Sequence, residues 1–202
     1  MSDTAALPLH QPLHRSRPLV LADLVPGRLM RDIALVVGGA AFTGLLAQVS
    51  IPVHGSPVPV TGQTFAALTV GAALGWRRAF AAMSVYLLAG MAGVPWYADH
   101  ASGVHLATFG YIIGFVAAGT LVGAMAGRGG DRNPLATIGT MIAGNLVIYA
   151  FGLAWLMGDL HISLASAWQI GMRDYLPGDA LKILLAAGCL PTAWRVADRL
   201  SR

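Results

Sequence analysis

Asp179 and Lys182 lie one helical turn apart in Leu176-Pro177-Gly178-Asp179-Ala180-Leu181-Lys182, at the mouth of an apolar run over residues 183–190. Lys182 is the only lysine of the chain, and glutamate does not occur. At i and i+3 on a helix the two side chains share a face and can meet. Asp179 supplies acceptors when ionised and Lys182 supplies donors. Ionisable groups inside membrane spans are costly, and by default they mark a functional site. The alternative is an interfacial ion pair with a snorkelling lysine. The rest of the chain favours a binding site.

Such a pair acquires this meaning only if the surrounding chain is membrane-embedded. The 202 residues are 56% hydrophobic and 11% charged, against about 25% charged in an average soluble domain. Mean hydropathy is +0.65. That is too little charge to solvate a globular surface. The expected fold is an all-α integral membrane protein in the lipid bilayer, with six transmembrane helices.

Apolar runs with clear punctuation place the spans. The first covers residues 33–51 and stops at Pro52. A Pro/Gly-rich segment, residues 52–60, cannot be helical. It is apolar for a loop and leads into the polar Thr61-Gly62-Gln63-Thr64. Irregular backbone at membrane depth survives only against protein or a water-filled cavity, so this segment is expected to form a lid between helices 1 and 2. The other spans are read at 61–74, 79–94, 106–127, 134–157 and 179–196, with an interfacial helix at 162–170. Pro134 is a good first helical residue. Residues 1–28 are expected to be a flexible cytoplasmic tail and residues 29–202 a six-helix substrate-binding domain.

With six spans, 11 of the 13 basic residues fall on one side. By the positive-inside rule that side is the cytoplasm, which puts both termini inside and the pocket-forming end outside. The pI near 9.7 is therefore a topology signal and not a sign of nucleic-acid binding. The lone Cys189 cannot form an intrachain disulfide and reads as a small core residue. His54, His100, His105 and His161 fall in connections without metal-ligand spacing, so neither a metal nor a cofactor is expected. Asp174 and Asp179 are too close for an intramembrane aspartyl protease, and Leu176 replaces the first glycine that such a turn requires. No phosphate-binding Gly-x-x-x-x-Gly-Lys-Ser/Thr loop occurs. The chain is not expected to be an enzyme, and active transport would need a separate ATPase.

The sequence resembles the BioY family, the biotin-binding S components of energy-coupling-factor (ECF) vitamin transporters. The matching blocks run in order from residue 30 to 195. They are Ala47-Gln48-Val49-Ser50-Ile51-Pro52, Ser56-Pro57-Val58-Pro59-Val60-Thr61-Gly62-Gln63-Thr64, Gly71-Ala72-Ala73-Leu74-Gly75-Trp76-Arg77-Arg78, Tyr86-Leu87-Leu88-Ala89-Gly90-Met91-Ala92-Gly93-Val94-Pro95, Gly110-Tyr111-Ile112-Ile113-Gly114-Phe115, Gly144-Asn145-Leu146-Val147-Ile148-Tyr149 and Pro177-Gly178-Asp179-Ala180-Leu181-Lys182. The chain departs from the family at Leu106-Ala107-Thr108-Phe109-Gly110-Tyr111, where a Pro and one Gly are missing, and at Trp96-Tyr97-Ala98-Asp99-His100, where the family is glycine-rich.

The resemblance implies capture of biotin at the outer side and delivery to the cytoplasm across the inner membrane. It also implies a transmembrane coupling subunit and ATPase subunits as partners, with a homo-oligomer as a further possibility. Biotin offers a ureido ring, a thioether ring and a carboxylate tail. Asp179 and Lys182 are expected to read the ureido group together, or Lys182 to hold the tail. Tyr111 and Tyr149 would wall the ring, and Gln63 and Asn145 would offer amides. Thr61 is expected to cap the second span. Ala34, Gly38, Ala40 and Gly44 are small residues on the first span that suit either docking of a partner helix or packing within the bundle. A stand-alone biotin carrier, and a membrane enzyme using Asp179 as a base, are the alternatives.

Overall fold

The computed structural model describes residues 20–24 and 29–200. Its architecture is almost entirely helical: α1 Leu29–Ala47, α2 Gln63–Leu74, α3 Trp76–Met91, α4 Phe109–Ala126, α5 Pro134–Leu160, α6 Leu164–Gly171 and α7 Leu176–Leu200. Helices α1, α4 and α5, and the segment Leu164–Arg199 that contains α6 and most of α7, are long and apolar enough to cross a membrane. The remaining two, α2 and α3, have 12 and 16 residues. The chain is a multi-pass membrane protein.

Each end has a local cause. Asn133 accepts the N–H of Ala136 at 2.9 Å, and Pro134 follows as a first helical residue, so α5 starts where its proline costs no hydrogen bond. Ser163 caps the short α6 through the N–H of Ser166. Only Gly75 separates α2 from α3, and its φ of 78° lies in a region that glycine enters without strain. Helix α4 is the centre of the bundle and packs on α5, α2 and α3.

Three expectations change. The first span ends at Ala47 rather than residue 51. Ser50–Ile51 and Val60–Thr61 instead pair as short antiparallel strands β1 and β2, so the lid is the tip of a hairpin. Part of the expected tail is packed: Leu21–Leu24 forms a 3-10 turn with Ala22 buried. Val20 lies over Gly75, and Asp23 accepts from Arg78 at 3.0 Å. The rest of the tail, residues 1–19 and 25–28, lies outside the described residues. Cys189 is exposed on α7 and does not belong to the core.

Candidate ligand site

Lys182 donates to Asp179 Oδ1 at 3.1 Å and to Thr64 Oγ1 at 2.8 Å. Tyr149 donates its hydroxyl to Asp179 Oδ2. The aspartate is therefore held by α5 and α7, and the lysine by α2 and α7. Asp179 is 5% exposed, and the Lys182 side chain 19%. A carboxylate has about four lone-pair sites and an ammonium three N–H groups. Two acceptor sites of Asp179 and one donor of Lys182 remain free of protein partners.

These groups face a cavity with about 490 Å3 of unfilled space, including its opening. One wall is aromatic, with Tyr111 and Tyr149 edge to face and their centroids 6.4 Å apart. The Tyr111 hydroxyl is spent on the carbonyl of Gly171 at 2.8 Å, so this residue presents a ring and not a donor. Its seat exists because Gly152 and Gly171 have no Cβ; at either position one would enter the space of Tyr111. Phe115 and Ile148 complete the apolar lining.

The hairpin tip roofs the cavity with Val58, Pro59 and Val60. Tyr175 clasps it, donating to the carbonyl of Val58. Ser56 Oγ lies 2.8 Å from the Tyr175 hydroxyl and donates to the Ile170 carbonyl at 2.6 Å. The lid is thus tied to the turn between α6 and α7. All connections that contribute to the site lie at one end of the bundle. Arg77 and Arg78 in the first turn of α3, and Arg128 and Arg132 between α4 and α5, lie at the opposite end.

Compared with known proteins, a model of the BioY family matches residues 15–199. The chain belongs to the BioY family. It is 31% identical over 173 residues to a protein of Pyrococcus horikoshii named probable biotin transporter BioY, covering 84% of this chain and 96% of that one. It is 32% identical over 171 residues to the biotin transporter BioY of Rhodobacter capsulatus, covering 77% and 88%. A crystal structure described as the S-component for biotin from an ECF-type ABC transporter superposes with a TM-score of 0.74 at 20% identity, over 82% of this chain and 92% of that one. At that identity the likeness speaks for the fold.

Within this BioY bundle, five of the six expected site residues line one cavity: Asp179, Lys182, Tyr111, Tyr149 and Gln63. Gln63 gives its amide N–H to Tyr86 at 2.9 Å, and Tyr86 donates onward to the Trp96 carbonyl at 3.1 Å. Its main tie is to the bundle. Thr61 is not the cap of α2 as expected: Gly62 holds that position, and Thr61, in β2, accepts the Gln63 N–H at 3.3 Å.

Asn145 is displaced from expectation. It shares a helix face with Tyr149, but one turn is about 5.4 Å along the axis. It lies below the floor of the cavity, beside Met141 and Leu68. The small residues of α1 also divide. Ala40 and Gly44 are buried inside the bundle, Gly44 directly against Trp96. Their interior packing removes them from any docking face. Ala34 and Gly38 are exposed and line a groove with Leu35, Phe42, Phe65 and Ala73.

The sequence reading missed Thr64, the lysine's second anchor, and Tyr175, the clasp of the lid. Thr64 was signalled by its place one residue after Gln63 in the polar entry to α2. Tyr175 stands four residues before Asp179, in the 3-10 turn that leads into the same helix.

Proposed function

We propose that the cavity binds biotin and that this chain is the substrate-binding S component of an ECF-type importer. The observation that carries this reading is the roofed Asp179–Lys182 pair, with two acceptor sites and one donor left over in an otherwise largely apolar pocket. A ureido group has two N–H donors and one strong acceptor, which is the complement of that set. The aromatic wall suits the thioether ring, and the family's named transporters support the choice of ligand.

In this reading Asp179 accepts from the ureido N–H groups and Lys182 donates to an oxygen. Tyr149 and Thr64 keep both side chains oriented before ligand arrives, which lowers the ordering cost of binding. The lid must lift for entry, breaking the bonds of Tyr175 and Ser56, and re-forms them over bound ligand. The chain binds and releases; any ATPase activity resides in partner subunits. Residues 29–202 act as one transmembrane domain in the cytoplasmic membrane, with both termini inside. The distribution of arginine between the two ends supports that orientation. Ala34 and Gly38 offer the small surface on which a coupling subunit's helix would approach. The test is isothermal titration of the purified protein with biotin: saturable one-site binding is expected, and its absence overturns the assignment.

A further inference from the structure

Behind the ligand cavity, α2, α5 and α7 enclose a smaller gap lined by Thr64, Phe65, Leu68, Met141, Asn145, Lys182 and Ile183. Thr64 and Lys182 border both spaces. Asn145 is 8% exposed and donates Nδ2 to the Met141 carbonyl at 3.2 Å. That bond fixes the amide's orientation, because a carbonyl accepts and only the amide nitrogen can donate to it. Asn145 Oδ1 is then a buried acceptor, and it receives no hydrogen bond from the protein. A buried acceptor left in that state is costly. Across the same gap, the Thr64 hydroxyl accepts from Lys182 at 2.8 Å and keeps its own O–H to donate.

A water fits these requirements. It would accept from the Thr64 hydroxyl and donate to Asn145 Oδ1, which leaves the remaining Lys182 N–H for ligand. Buried waters need two to four such partners and about one probe sphere of space, which the gap supplies. A cation does not fit, because the lysine already places a positive charge on the wall. We propose that Asn145 is a positioning residue for Lys182, acting through a water held in this gap and the Thr64 hydroxyl, and fixing the ammonium over the ligand cavity. The role rests on the reading that Lys182 contacts biotin.

The test is a double-mutant cycle on the full chain in detergent, with biotin affinity as the readout. Asn145→Leu is expected to weaken binding about tenfold when Lys182 is present, the loss of roughly one hydrogen bond from the network that orients the ammonium. In a Lys182→Met background the same change is expected to weaken binding less than about twofold, since the coupled partner is gone. Asn145→Ser is expected to stay within about threefold of wild type, because its hydroxyl can bond the carbonyl four residues back and still accept from the water. Should the leucine variant not fold, Asn145→Ala repeats the comparison. Equal weakening in both backgrounds, or no weakening with Lys182 present, overturns the bridge while leaving the pocket assignment intact. Wild-type protein that does not bind biotin overturns the pocket assignment and the bridge with it.

Discussion

Thr64 and Lys182 are 118 positions apart and hydrogen-bonded at 2.8 Å. The bond ties the first turn of α2, just after the lid hairpin, to the charged turn of α7. Asp179 is tied in the same way to α5 through Tyr149. The ion pair is thus stretched between two neighbouring helices rather than closed upon itself, and it keeps capacity for a ligand. A pair with only structural duties gains nothing from unused donors and acceptors in a cavity.

Thr64→Val removes the hydroxyl while keeping shape. Lys182 then loses an anchor but keeps its charge and its partner Asp179. Biotin affinity is expected to fall severalfold, with the melting temperature nearly unchanged. A large drop in melting temperature at native affinity would show that the bond serves folding only.

Tyr175→Phe removes the clasp on Val58 and Ser56. Hydrogen exchange across residues 53–60 is expected to quicken, and biotin to dissociate faster with little change in association rate. Exchange unchanged from wild type would contradict a lid held by this hydroxyl.

Gly152→Ala puts a methyl group into the ring of Tyr111. Overpacking of this kind costs about 1–3 kcal/mol, and the displaced ring should also weaken biotin binding. Gly158→Ala, six residues on and facing open space, is the control and should be neutral or slightly stabilising. Thermal melts of both variants decide between them.

Asp131 lies in the connection between α4 and α5, and burial holds its carboxyl above the usual range. The indole N–H of Trp194, which it accepts at 2.7 Å, and the nearby Arg132 work against that rise. A raised folded-state value means that the folded chain binds more protons than the unfolded one. This contribution to stability therefore falls as pH rises from the unfolded value through the folded one. Asp131→Asn keeps an acceptor for Trp194 and cannot ionise, so its melting temperature should gain most over wild type near pH 7 and least near pH 4. A constant difference would contradict the sign.

Sidedness can be read by cysteine labelling in a Cys189→Ser background. His105 and Arg128 are exposed and lie in connections at opposite ends. A reagent outside the cell should modify His105→Cys and spare Arg128→Cys. The reverse would invert the orientation.

Much of this was legible in the sequence because membranes impose strong rules. Apolar runs broken by Pro52, Gly75, Pro95 and Pro134 gave the helices, and one lone lysine near one aspartate gave the centre of the site. What was not legible depends on depth and pairing. Asn145 has the right face but sits one turn too low, and spacing within a helix says nothing about where a cavity ends. The two-residue ladder of β1 and β2 is too short to leave an alternating pattern. Trp96 and Tyr97 turn inward: Tyr97 bonds the Leu87 carbonyl at 2.6 Å, and Trp96 the Tyr86 carbonyl at 3.0 Å. Only the fold reveals that Gly44 on α1 is the surface Trp96 packs on.

The central claim is that Asp179 and Lys182 bind ligand and are not scaffold. Breaking one member of a buried pair destabilises, whereas neutralising both can be nearly silent for folding. The decisive measurement is the biotin affinity of the folded double variant Asp179→Asn with Lys182→Met, beside wild type. Wild type should bind, and the double variant should be weaker by about ten- to a hundredfold or more, the loss of one or more charge-assisted hydrogen bonds. Near-native affinity in the folded double variant would contradict the account.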